Sequence, residues 1–289
     1  MNDASRWRLA LAQKVAPIIA TNPNVQAIML AGSTSRGCAD RYSDIEIAVF
    51  WSSPPSDEDR MAPIEPAGGV FWELDPYDEE HATWMEEWGI GGLKIDMRNR
   101  TIEGMERILS DVIDQYDTSS FKQEAISAVQ YAVPLYKAPL IERWKEKLAH
   151  YPIELGRAMV RKNLLFYEWC WWMETLLFRG DVPLFYNELS EATFQALRML
   201  IGLNGIYHPG NKWMDRLIDE MRIVPANLAA RIKAVFHMET RLAVEEIKNL
   251  ILEVYNLVDT HMAEVSTTEA RRLLVRQRAQ FEQPPEGIV

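Results

Sequence analysis

Apolar positions change their period twice along this chain. Over residues 5 to 20 they recur at helical spacing through Trp7, Leu9, Leu11, Val15, Ile18 and Ile19, which predicts an amphipathic helix. A short apolar run at 27–31, bounded by Pro23 and Gly32, predicts a strand buried on both faces. Residues 44–50 predict a second strand and 70–74 a third. The run IGGLKIDM at 90–97 predicts a fourth. Helical spacing then takes over at 101–116 and 121–133, and no strand is expected beyond it. The remainder reads as helices at 139–149, 153–179, 189–204, 211–222, 225–236 and 239–262. A last helix at 268–281 is basic along one side, and the closing EQPPEGIV is expected to be unstructured. Pro134 and Pro139 mark a boundary. The expected fold is therefore α+β, with a mixed sheet and helices over 1–135 and a helical bundle over 136–289. Leu242, Ile247, Leu250, Ile251, Val254, Leu257 and Val258 form a regular seam, which is bundle core or a subunit contact.

The chemistry gathers in residues 27–50, AIMLAGSTSRGCADRYSDIEIAVF. Gly32 can take positive φ and admit another group closely, and Ser33 offers a hydroxyl and a helix N-cap. The amides of that helix start, with its dipole, suit a polyanion such as a triphosphate. Arg36 adds a cation nearby. On a strand, Asp44 and Glu46 share one face while Ile45 and Ile47 point into the core. Two like charges so close repel unless a divalent cation lies between them, and hard oxygen ligands favour magnesium or manganese. Asp96, on the later apolar strand, is the candidate third acid. If the two strands pair, the three carboxylates could hold two metal ions that clamp a triphosphate for in-line displacement.

The glycine-serine turn, the ten-residue gap, the Asp-x-Glu pair and the later strand acid resemble the nucleotidyltransferase superfamily of DNA polymerase β. Within it, Tyr42-Ser43-Asp44-Ile45-Glu46, the patch MLIGL at 199–203 and the stretch Leu165-Phe166-Tyr167-Glu168 look most like the bacterial kanamycin nucleotidyltransferases. That resemblance implies transfer of AMP from ATP to a hydroxyl of an aminoglycoside antibiotic, two Mg²⁺ ions, and a homodimer with the pocket between subunits. It also implies Glu168 as general base. The apolar flank of Phe166, Tyr167, Trp169 and Trp171 is expected to raise the proton affinity of Glu168. Asp96 competes for the same role, and a Glu168 brace to Arg161, Lys162 or Arg179 is the structural alternative. Trp172 stands where the family has a phosphate-binding lysine, so Lys212 or Lys162 is the expected substitute.

Composition narrows the partners. A net charge of −11 and a pI near 5.1 disfavour nucleic acid and suit a small polycationic acceptor. No apolar stretch approaches the roughly 20 residues that span a bilayer. The two cysteines, Cys38 and Cys170, have no metal-ligand spacing, and a reducing cytoplasm is expected. The Pro- and acid-rich segment 52–68 is expected to be a mobile surface loop. The segment DPYDEEHATWMEEWG reads either as an acidic helix with its tryptophans packed inward or as an amino-sugar site at Trp84 and Trp88. Two other functions fit the same residues. One is an AMP-transferring toxin–antitoxin component acting on a protein, with Arg231 and His237 at a spacing met in RNA-cleaving helical domains. The other is a nucleotide-binding module without catalysis.

Overall fold

A computed structural model describes residues 1–283; positions 284–289, part of the tail expected to be unstructured, lie outside the described residues. The fold is α+β. The chain divides into two compact units, residues Met1–Tyr151 with Tyr207–Gly210, and Pro152–Ile206 with the chain from Asn211 onward.

In the first unit the order is α1 (Asp3–Ile19), β1 (Val25–Leu30), α2 (Gly32–Ser35), β2 (Ile45–Trp51), α3 (Asp57–Met61) and β3 (Val70–Leu74), followed by β4 (Trp84–Ile90), β5 (Leu93–Thr101), α4 (Ile102–Ile113), α5 (Ser120–Gln130), β6 (Val133–Tyr136) and α6 (Ala138–Leu148). The six strands form one sheet in the order β3-β4-β5-β2-β1-β6. Only β2 and β5 run parallel; every other pair is antiparallel. Gly91 and Gly92, both at positive φ, make the two-residue turn that joins β4 to β5, a geometry L side chains resist. Alternation along the strands then separates two faces. Ile28, Leu30, Ile45, Ile47, Val49, Trp51, Trp88, Ile95 and Met97 form one core with Ala12, Val15, Ala16 and Ile19 of α1. The opposite face carries Glu46, Asp96 and their neighbours.

Four expectations give way here. Residues 133–136 are a strand, because β6 pairs with β1 at the edge of the sheet, where Pro134 costs no interior ladder bond. That pairing holds the chain past residue 135 within the first unit, and the units divide after Tyr151. The segment DPYDEEHATWMEEWG holds no helix; its second half is β4, with Trp88 fully buried and its Nε1 donating to Met97 Sδ at 3.1 Å. The 52–68 segment is pinned. Ser56 and Asp59 form a capping box for α3, and the fully buried Arg60 donates to Asp75 O at 3.0 Å, Met85 O at 3.2 Å and Asp57 Oδ1 at 2.7 Å.

Arg60 also reaches Glu86 Oε2 at 3.5 Å, beneath the sheet. Both Glu86 oxygens accept from Asn99 Nδ2, at 2.8 and 2.7 Å, and Asn99 Oδ1 accepts from Trp51 Nε1 at 2.8 Å. Burial dominates the hydrogen bonds and the nearby guanidinium, and the Glu86 pKa rises from 4.5 to about 8. The folded chain thus holds this proton more tightly than the unfolded one. Stability from it is complete below about pH 4.5 and is lost as pH rises through about 8. The expected loss is on the order of 3–5 kcal/mol. Thermal melts across that window should show the wild-type midpoint falling with pH and Glu86→Gln following a flatter line.

The second unit is helical: α7 (Ile153–Asn163), α8 (Trp169–Arg179), α9 (Val182–Leu203), α10 (Met214–Glu220), α11 (Leu228–Val235), α12 (Thr240–His261) and α13 (Thr268–Leu274). The helix expected over 153–179 is two. Its break has local causes, because Gln195 Nε2 donates to Asn163 O and Leu165 O at 2.9 and 3.0 Å, and Tyr255 OH donates to Leu164 O at 2.7 Å. These side chains satisfy the carbonyls that end α7, and Glu168 then takes φ 51° before α8 begins. The seam on α12 packs inside this unit, with Ile247, Leu250, Ile251, Val254 and Val258 buried. No described helix is long and apolar enough to cross a membrane.

Candidate active site

The site begins where β1 ends. Ala31 N donates to Glu46 O at 2.9 Å, which ties the turn after β1 to β2. Gly32 follows at φ 65° with the Glu46 carboxylate lying directly on its Cα; a Cβ there would stand 2.7 Å from Glu46 Oε1 and closer still to Cδ and Oε2. Only glycine permits both the backbone angle and that approach. The helix α2 is a single turn, capped by Ala31 without a side-chain bond, so Ser33 is not the expected N-cap. Four residues sum few peptide dipoles, and the value of this turn for the site is steric. Arg36 is committed to α5: its Nη2 donates to Ser127 Oγ at 2.8 Å and its guanidinium lies 3.9 Å from the Tyr131 ring centroid.

Asp44 precedes β2 by one residue. Arg8 of α1, 3% exposed, donates from Nε and Nη2 to Ser43 O at 3.0 and 2.8 Å and so fixes the peptide that carries Asp44. Burial lowers the Arg8 pKa, and the charges of Asp40 and Asp44 hold it up. On β2, Glu46 stands directly opposite Asp96 of β5 in the parallel register, and Asp96 stands opposite Glu87 of β4 in the antiparallel one. Paired residues of neighbouring strands share a face. Three carboxylates therefore run in a row across three strands, with Asp44 near the same end.

Cations interleave with them. Lys94 Nζ lies 3.9 Å from Asp96 Oδ2 and is hydrogen-bonded to Glu87; Arg98 Nε lies 3.9 Å from Asp96 Oδ1. Burial works against the charge on Lys94, but the Glu87 bond and the fields of Asp96, Glu87 and Asp44 more than offset it and raise its pKa. Asp96 is the least comfortable acid of the group. It is 9% exposed, and its Oδ1 is buried with no hydrogen-bond partner. Burial raises its pKa; Arg98 and Lys94 oppose the rise, and Asp44 and Glu87 add to it. Among the described residues no group of three or more His, Cys, Asp or Glu side chains is arranged to hold a metal ion as it stands. The Glu46 carboxylate is turned onto Gly32, and Asp96 leans toward its two cations.

Glu168 is differently placed from its expected helix interior. Arg278 Nε donates to its Oε2 at 2.5 Å, and Arg276 Nε lies 3.3 Å from Oε1. The Arg278 bond, against a smaller opposing effect of burial, holds the Glu168 pKa below the usual carboxylate value. The structure thus makes it a brace for the segment after α13, with arginines that are not the ones expected, and removes the raised proton affinity a base needs. Lys212 is exposed ahead of α10 in the second unit. Trp88, in the core, cannot meet an amino sugar, and Trp84 packs on Tyr77 at 4.4 Å between centroids. Arg231 binds Glu246 at 2.6 Å and Glu253 at 2.8 Å, a helix-to-helix brace between α11 and α12.

Sequence reasoning missed Arg8, Glu87, Lys94 and Arg98. The signal for Lys94 and Arg98 was present, since residues two positions either side of Asp96 must share its face. Nothing marks Arg8, which sits on the buried stripe of an amphipathic helix.

Residues 119–214 match the family described as a domain of unknown function, DUF4037. No curated protein matches. Among solved structures, this chain is similar to a nucleotidyltransferase-like protein from Exiguobacterium sibiricum 255-15, at 13% identity and a TM-score of 0.39, over 90% of this chain and 80% of that one.

Proposed function

We propose that the first unit catalyses metal-dependent nucleotidyl transfer, moving AMP from ATP onto a hydroxyl acceptor. The observation that carries this reading is the register that sets Glu46 beside Asp96, with Asp44 one residue ahead of β2 and close enough to raise the proton affinity of Asp96. Carboxylates crowded on one face at the end of parallel strands store mutual repulsion that a divalent cation relieves. The donor set fits such an ion in kind: all ligands are hard oxygens, and Asp96 Oδ1 has no hydrogen-bond partner of its own. Asp44, Glu46 and Asp96 would hold Mg²⁺, two ions in the full reading, which when bound would neutralise the triphosphate and polarise its phosphorus.

The protein's own groups do the rest. Gly32 lets the turn close on Glu46 and fixes that carboxylate. Arg8 holds the Asp44 peptide. The acceptor oxygen attacks the α-phosphorus, the bond to pyrophosphate breaks, and pyrophosphate leaves. Asp96, desolvated and on the face that carries the acids, takes the hydroxyl proton. A cationic acceptor such as an aminoglycoside is what the family resemblance implies, and the net charge of −11 is compatible with it. Lys94 and Arg98 on the same face favour an anionic one. Transfer of α-labelled AMP to a panel of both kinds, in Mg²⁺, tests the reading: label must reach an acceptor as pyrophosphate is released, and release to water alone across the whole panel would contradict it.

A further inference from the structure

We propose that Arg98 and Arg100 form a binding site for an anionic oxygen group, phosphate or carboxylate, on the same face of the sheet as Asp44, Glu46 and Asp96.

Along one face β5 carries Lys94, Asp96, Arg98 and Arg100, three cations to one acid. Lys94 has Glu87 as a partner, and Asp96 lies at 3.9 Å from both Lys94 and Arg98. Arg100 has none of this. It is 6% exposed, its Nε is buried without a hydrogen-bond partner, and its one hydrogen bond is a long one, from Nη2 to His81 O at 3.4 Å. No carboxylate among the described residues pairs with it. Its neighbours are Arg98, whose like charge repels it, and Tyr77.

Arg60, in the same unit, shows what a settled buried arginine looks like. Its Nε is likewise buried without a partner, so the contrast lies in its terminal nitrogens, which bond two carbonyls and two carboxylates. Buried charges are as a rule paired, because desolvation without compensation is among the costliest events in a fold. Arg100 lacks that compensation from the chain itself. Burial followed by the Arg98 charge lowers its pKa to about 10, the same discomfort seen from another side. An anion supplied from outside would settle it, and the planar guanidinium fork matches carboxylate and phosphate oxygens.

Successive same-face residues on a strand stand about 6.6 Å apart. An anion between Arg98 and Arg100 is thus one residue pair beyond Asp96, next to the acids without competing for their oxygens. Two molecules could bring it there: the donor, through its phosphates, or an acceptor bearing a phosphate or carboxylate. In either case the inference rests on the transfer reading only for the identity of the source. The anion site itself stands on Arg98 and Arg100.

Calorimetric titration of inorganic phosphate into the full chain, at constant ionic strength, tests it. Wild type should bind phosphate, and Arg98→Gln, at a position with a 47% exposed side chain, should weaken binding about ten- to hundredfold. Arg100→Lys keeps the charge but loses the fork and should weaken it similarly; circular dichroism checks its fold, and if it fails to fold the exposed Arg98 variant decides alone. Repeating the titration with α,β-methylene-ATP and Mg²⁺ separates the sources. Displacement of phosphate assigns the site to the donor, and simultaneous binding assigns it to the acceptor. No phosphate binding by wild type, or equal binding by wild type and Arg98→Gln, would overturn the proposal. Loss of the transfer reading would leave this titration unchanged, so the two can fail separately.

Discussion

Asp96→Asn is expected to cost transfer about 10²- to 10⁴-fold in kcat/KM, with a thermal midpoint at neutral pH equal to or above that of wild type. The two effects have one origin. A buried carboxylate with an unpartnered oxygen and two acidic neighbours resists ionising, so its folded pKa is raised. Stability tied to such a group is complete below its ordinary pKa and falls as pH rises through the folded value. Asparagine removes that loss while keeping the shape, and forfeits only two contacts of 3.9 Å, to Lys94 and Arg98. It cannot take a proton or bind a cation with the same strength. Sites that are costly to the fold and necessary to the chemistry behave in this way. Glu168→Gln supplies the contrast. Its carboxylate is already held low by Arg278 and Arg276, so turnover should stay within a few fold. Steady-state kinetics paired with melting curves for the two variants checks both statements, and a larger loss in the Glu168 variant would return the base to the second unit.

Gly32→Ala is expected to lose both stability and turnover, the second more than the first accounts for. An alanine at φ 65° is strained by about 1–2 kcal/mol. Its Cβ also overlaps the Glu46 carboxylate, which is the far end of a flexible side chain and will swing away. The fold survives that movement, and the row of acids does not. Gly68→Ala is the matched control: Gly68 has φ 74° and nothing within 4 Å of a new Cβ, so it registers the backbone strain alone. Measured at a temperature where all three proteins are folded, Gly68→Ala should retain activity while Gly32→Ala loses it.

Much of the candidate site is legible in the sequence. Alternation at Asp44-Ile45-Glu46-Ile47 placed two acids on one face, and the glycine of the turn followed from its position between an apolar strand and that pair. Pairing of β2 with β5 was only a condition, because parallel register is set across the intervening α3, β3 and β4 rather than by a short turn. The acids of β4 misled in another way. Glu86 and Glu87 are adjacent, so one faces the site and the other the core, where Arg60 from a Pro-rich segment waits for it. No local pattern announces that partnership. The helix-interior placement of Glu168 gave way for the same reason: an apolar stretch argues for one long helix, and the groups that end it, Gln195 and Tyr255, come from α9 and α12.

The most direct test of the carboxylate row is the transfer of α-labelled AMP in Mg²⁺ by wild type and Asp44→Asn, on samples whose melting curves coincide. Wild type should label an acceptor and release pyrophosphate in equal amounts, and the variant should do neither. Undiminished labelling by Asp44→Asn would mean that the acids gathered at this end of β2 and β5 are not where the reaction occurs.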